Sequence, residues 1–243
     1  MKKLITILSL MVLPLTAMAA GHGDAALDKV DIDLSDKASL QNGARIFVNY
    51  CVSCHSAAYM RYNRMGRDLG IPDKLIKEHM LFAGDKVGEP MKAVMPAEDA
   101  KKWFGTAPPD LSLEARLRGP EWIYTYLRSF YRDPKAPSGW NNTLFENVAM
   151  PHVLYEWQGT QEVEYKQDEH GNKIVEGFKM IKPGTMSADE YDQNMRDLVN
   201  FMVYMGEPAK MTRYKIGAWV LAFLFVLFII SYFLKKEYWK DVH

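Results

Sequence analysis

The chain has 243 residues, 48% of them apolar, and its 30 Lys and Arg balance its 30 Asp and Glu to a formal net charge of +0. That length suits one domain with an appendage, or two small domains, and allows a core of ordinary size. The neutral balance gives no electrostatic reason to expect a nucleic acid or an acidic substrate as partner.

In chain order, the first segment reads MKKLITILSLMVLPLTAMAA. Lys2 and Lys3 form a basic start, Leu4 to Leu15 run apolar, and Ala17-Met18-Ala19 supply the small residues of a cleavage site. This is the pattern of a bacterial secretory signal cut before Ala20; an organelle transit peptide would be amphipathic and rich in Arg and Ser. A helix is expected over 36–50, because Leu40, Ala44, Phe47 and Cys51 fall on one face behind Ser35 as N-cap. It leads directly into Cys51-Val52-Ser53-Cys54-His55, which holds the chain's 2 cysteines. GTAPPDLS, residues 105–112, cannot be regular helix, since Pro108 and Pro109 fix φ and lack donors. GPEWIYTYLRSFYRDP then predicts a helix with Pro120 near its start and Pro134 beyond its end, presenting Trp122, Tyr126 and Phe130 on one side.

Between Gly159 and Gly184 the chain turns polar, and alternation around His170-Gly171-Asn172 predicts a surface β-hairpin. Ser187 and Glu190 form a capping box for a last domain helix, striped by Tyr191, Met195, Leu198, Met202 and Met205 and stopped by Gly206 and Pro208. From Ile216 to Leu234 about nineteen residues carry no charge, and at about 1.5 Å each they nearly match a hydrocarbon core of about 30 Å. About thirteen of them are Leu, Ile, Val or Phe, worth roughly −4 to −8 kcal/mol on insertion. Trp219, Tyr232, Tyr238 and Trp239 lie toward the ends, where amphipathic rings favour the interface. Lys210, Arg213 and Lys215 before the span balance Lys235, Lys236 and Lys240 after it, so the signal must set the orientation: body exported, tail inside. The expected division is a signal peptide over 1–19, an exported domain over 20–209, a transmembrane helix over 213–235 and a cytoplasmic tail over 236–243.

Four chemistries compete for the two thiols. A disulfide across two residues closes too small a loop to stabilise the chain much. A thioredoxin-type redox pair belongs after a strand, whereas a helical pattern leads into this one. Zinc normally takes four nitrogen or sulfur ligands, and no second Cys/His cluster stands elsewhere in the sequence. Covalent haem c is the reading that Cys-x-x-Cys-His favours. One helical turn sets two thiols beside the two vinyl groups of one porphyrin and the next residue's imidazole beneath the iron.

A sixth ligand is then needed, and a thioether raises the potential in the way electron transfer wants. Met60 and Met65 follow too closely on His55, and Met195, Met202 and Met205 belong to a core stripe. Three methionines remain in non-helical settings: Met95 and Met150, each stiffened by a following proline, and Met186. The pattern favours Met150, between two helices, while Met95 opens a helix start; His152 is a further candidate.

Taken together, CVSCHSAAYMRYNRM, GTAPPDLS, GPEWIYTYL, VAMPHVLYEWQG, TMSADEYDQNMRDLVNFMVYMGEP and the closing apolar helix resemble the cytochrome c1 family over nearly the whole mature chain. The resemblance implies a mostly α, class I cytochrome c-like domain with insertions and one C-terminal transmembrane helix. It implies one covalent haem c on Cys51, Cys54 and His55, with Met150 as the axial sulfur, Pro108 and Pro109 lining the pocket, Arg118 at a haem propionate and Tyr124 nearby. Arg116, two residues away, is the competing arginine, although a buried propionate does want a charge-assisted partner. The cysteine pair that bridges an insertion in some bacterial members is absent here. The implied function is electron relay in the quinol:cytochrome c oxidoreductase, from the Rieske iron-sulfur protein through haem to a soluble or tethered cytochrome c, with cytochrome b beside the anchor. The site would be the bacterial inner membrane, haem domain facing the periplasm. The rivals are a free-standing membrane-tethered cytochrome c and a haem enzyme with an open iron position.

Overall fold

A computed structural model describes residues 26–167, 171 and 173–241. The expected signal over 1–19, and His170 and Asn172 of the expected hairpin turn, lie outside these residues.

Asp36, rather than Ser35, caps the first helix: its carboxylate accepts from Ser39 N–H at 3.0 Å, while Ser35 donates to Asp33 in a local turn. α1 (Lys37–Ile46) runs on into one wide turn, Phe47–Cys51, in which Val52 N–H donates to the Phe47 carbonyl five residues back at 3.1 Å. Such wide turns collect at functional sites, and this one delivers Cys51. After His55 the chain enters a strand, β1 (Ala57–Arg61), before α2 (Tyr62–Leu69) and α3 (Asp73–His79), so Met60 and Met65 sit on different elements, both buried. β2 (Pro90–Met91), α4 (Ala97–Phe104), α5 (Glu114–Leu117) and α6 (Pro120–Arg128) follow. α6 stops short of Phe130, which instead joins β3 (Phe130–Arg132), paired with β4 (Trp140–Asn142). α7 (Tyr155–Gln158) leads to the hairpin of β5 (Gly159–Gln167) and β6 (Lys173–Pro183), antiparallel as expected. α8 (Ala188–Gly206) and α9 (Lys210–Tyr238) complete the order.

The frame of the domain is the crossing of α1 and α8. Gly43 lies at the contact, where a Cβ would overlap the Asp197 carbonyl oxygen and press on Phe201, so the two backbones touch only because that position has no side chain. Phe47 and Phe201 meet with ring centroids 5.7 Å apart, both fully buried, each worth roughly 1.5–3 kcal/mol of transfer free energy. A polar clamp runs beside them: Ser39 Oγ and Asn42 Nδ2 donate to the Asp197 carboxylate at 2.7 and 2.8 Å, and Asn200 Nδ2 donates to the Asp33 carbonyl at 2.8 Å. The capping box at Ser187 and Glu190 forms, and all five residues of the expected stripe on α8 are buried.

α9 is different in kind. Its 29 residues, about 44 Å at a rise of ~1.5 Å, bury nothing against the domain. An apolar helix with no protein face to cover it fits a single-pass membrane anchor. It starts at Lys210, three residues before the expected span of 213–235, and Arg213 pairs with Glu207 at 2.7 Å across the short link from α8.

Candidate cofactor site

One cavity of about 530 Å³ opens beside the wide turn, within the range of small-ligand and cofactor sites. Cys51, Cys54 and His55 form one wall. His55 N–H donates to the Cys51 carbonyl at 2.8 Å, a single helical turn that brings the three side chains to the same opening. The thiols are free, and burial, reinforced by Cys54, pushes the Cys51 thiol up to about 12.

The 105–112 loop supplies the next wall. Pro108 and Pro109 line the cavity, and the Pro109 carbonyl accepts a hydrogen bond from His55 Nδ1 at 2.8 Å. A carbonyl only accepts, so Nδ1 carries the proton and Nε2 keeps a bare lone pair, the form in which imidazole binds a metal. Burial holds His55 below the ordinary histidine range, against the opposing pull of the Pro109 bond and of Glu114 and Asp110. The loop is stitched to the strand after His55: Leu111 N–H donates to the Ser56 carbonyl at 2.7 Å, and Asp110 accepts from Ala58 N–H at 2.9 Å and Ser112 N–H at 2.8 Å. Prolines that donate nothing, then an aspartate that accepts twice, hold a loop whose Pro109 carbonyl serves the imidazole.

α6 contributes Trp122, Ile123, Tyr126 and Leu127, the positions that one helix face brings together. Tyr124 is not among them. It sits on the other side of α6, buried, with the Arg128 guanidinium 4.7 Å from its ring centroid. There Arg128 holds Asp192 at 2.6 and 2.9 Å, and also Asp28 of the N-terminal segment. The tyrosine that α6 brings to the cavity is Tyr126, two residues on, and its hydroxyl donates to Met150 Sδ at 3.4 Å; Tyr50 lines the cavity from the wide turn. Burial pushes its phenol well above the ordinary range.

Of the three methionines in play, Met150 lines the cavity, whereas Met95 hydrogen-bonds through its N–H to the Ser53 carbonyl and Met186 Sδ accepts from Asn194 on α8. Met202 also reaches the cavity from α8. His152 is buried elsewhere, stacked flat on Phe130 at 4.9 Å and edge-on to Trp140 at 5.1 Å. The arginines separate as well. Arg118 lines the cavity, its guanidinium 4.2 Å from the Trp122 ring centroid and its Nε 2.9 Å from Glu114, while Arg116 lies against Gly206 at the end of α8.

The donor set fits a c-type haem: two free thiols one turn apart, an imidazole with a bare nitrogen, a thioether, and apolar walls with one cation. Periodicity pointed to Trp122 and Tyr126 as a helix face and left their role open. A phenol on an apolar stripe was the available signal, because a buried hydroxyl needs a partner. Phe104 and Phe145, which also line the cavity, carried no signal at all, and Leu198 was legible only as part of the α8 stripe.

Among known proteins, the model of the cytochrome C1 family matches residues 30–242. A protein named cytochrome c1 from Allochromatium vinosum is 49% identical over 100% of both chains. One named ammonia monooxygenase gamma subunit, from Nitrosomonas europaea, is 47% identical over 98% of this chain and 97% of its own. A cytochrome b/c1 from Bradyrhizobium diazoefficiens is 26% identical over 86% of this chain and 34% of its own.

Proposed function

The chain belongs to the cytochrome c1 family, and we propose from that premise that Cys51 and Cys54 would hold haem c in its cavity, with His55 and Met150 as the residues that would ligate its iron. Members of the family carry one covalent haem c and transfer electrons as a subunit of the cytochrome bc1 complex, and this chain does so too. The single observation that carries the residue assignment is the gathering of both thiols, the bare His55 nitrogen and the Met150 sulfur on one cavity.

The bound haem supplies a one-electron couple between ferric and ferrous iron. The protein's part is to hold and tune it. The Pro109 carbonyl orients His55 and strengthens it as a donor. A thioether from Met150 favours the reduced state, and apolar walls keep water from the iron. Arg118, held at the cavity by Glu114 and Trp122, is the charge available to a propionate.

The donor is the Rieske iron-sulfur protein, the acceptor a soluble or tethered cytochrome c, and cytochrome b covers the otherwise bare α9. The N-terminal segment exports the domain to the periplasmic side of the bacterial inner membrane, and the residues after α9 remain inside. A roaming tethered cytochrome would want a long flexible linker. Here only Glu207, Pro208 and Ala209 separate α8 from α9, with the Glu207–Arg213 pair bracing them, which favours a fixed station.

Purification of the full chain in mild detergent tests the assembly: b-type haem bands and a Rieske signal should accompany the c-type band, and a lone c-type band would favour the free tether. Met150→Leu should abolish the low-spin, methionine-ligated spectrum, whereas Met95→Leu and Met186→Leu should leave it intact. An unchanged spectrum in Met150→Leu would return the assignment to an open iron site or another ligand.

A further inference from the structure

We propose that Tyr126 is a positioning residue that tunes the Met150 thioether, its hydroxyl drawing electron density from the sulfur and so raising the potential of the cofactor. This rests on Met150 as the axial ligand. The hydroxyl lies 3.4 Å from Met150 Sδ, and a thioether has no proton to offer, so the phenol is the donor. A thioether carries two lone pairs. One directed at a metal leaves the other for Tyr126. A sulfur polarised in this way donates less to iron, and the loss is felt more by the ferric state, which demands more donation, than by the ferrous state.

The contact is built rather than incidental. The Tyr126 ring is stacked on Trp122 at 5.0 Å with 12° between planes, and meets Phe130 edge-on at 5.1 Å, which leaves the phenol one direction. Met150 ends a loop that is gripped by the same side chain that grips the tyrosine's backbone. Asn142, fully buried, donates through Nδ2 to the Tyr126 carbonyl at 2.8 Å and accepts from Leu144 N–H at 2.9 Å and Phe145 N–H at 3.2 Å. Asn141 Oδ1 then accepts from Asn147 N–H at 2.9 Å, where the loop turns through a left-handed residue at φ 58°. Two adjacent asparagines thus hold the segments that carry the hydroxyl and the sulfur.

The test uses the full-length, haem-loaded protein in detergent. Tyr126→Phe keeps the ring and removes only the hydroxyl. The expected result is unchanged haem content, a retained methionine-ligated spectrum, and a midpoint potential lowered by a two- to tenfold change in the redox equilibrium, the range of a neutral hydrogen bond. At 59 mV per tenfold for one electron that is about 20 to 60 mV. In a Met150→His background the same Tyr126→Phe change should move the potential far less, since the sulfur is gone. A Tyr126→Phe protein with the parent potential would overturn the proposal, as would one that loses the methionine signature, because the hydroxyl would then be holding the loop and not tuning the ligand. Failure of the ligand assignment itself is read separately, from an unchanged Met150→Leu spectrum.

Discussion

At the scale of single residues, the site depends on hydrogen bonds that choose between similar candidates. Arg118 and Arg116 are two positions apart and indistinguishable by type, yet only Arg118 lines the cavity. Removing a cation beside a cofactor favours its more oxidised, more positive state, so Arg118→Gln should lower the midpoint potential in a redox titration, and Arg116→Gln should leave it unmoved. Asp110 shows how a loop is held: replacing it with Ala removes the acceptor for Ala58 and Ser112, at about 1 kcal/mol given its exposure, and should loosen the Pro109 carbonyl from His55. Thermal melts and the ferrous haem spectrum would register both effects. His152 gives the pH dependence. Burial holds its imidazole down to about 4 from an ordinary 6.5. The unfolded chain therefore binds a proton that the native state refuses between those values, and the contribution present above pH 6.5 is lost as pH falls toward 4. His152→Phe, which keeps the stack on Phe130, should flatten the acid limb of a melting-temperature series over that window. Residue type and spacing alone made Cys51, Cys54 and His55 legible, since their chemistry is local. Tyr124 was not so placed: which side of α6 meets the cavity depends on what packs behind it, and Arg128 with Asp28 and Asp192 claims that position.

At the scale of elements, the long helices were legible because capping and periodicity act within a few residues. Ser187 with Glu190 starts α8 as the sequence pattern requires, and Ser187→Ala should cost about 1 kcal/mol. The elements that escaped notice are short: α2, α3, α5 and α7 run for about two turns or fewer, β1, β2, β3 and β4 exist only through their partners, and Phe130 leaves its helix because Asn142 pairs with it across the strand register. The tightest element contact is equally invisible in one dimension. Gly43→Ala forces a methyl into the Asp197 backbone, and the rigid helix pair cannot yield cheaply. A loss of about 1–3 kcal/mol is expected from such overpacking, measurable as a lower melting temperature and a lower yield of haem-loaded protein.

At the scale of the whole molecule, α9 buries no residue against the rest of the chain and is tied to the domain by the Glu207–Arg213 pair at its start. Ending the chain at Ala209 should therefore release a soluble domain with the parent haem spectrum, and a shifted spectrum would show that the anchor supports the site after all. The amino-acid order alone determined the anchor, the thiol and imidazole chemistry and the mostly helical body, since hydropathy over about nineteen residues and a turn of five are properties of neighbours in the chain. Only the tertiary structure decided between Met150, Met95 and Met186 at the cavity, sorted Arg118 from Arg116, and brought a tyrosine hydroxyl to a sulfur 24 positions away. Those choices are made by packing between distant segments, where the crossing of two helices at a glycine and the grip of two buried asparagines set which side chains share a space.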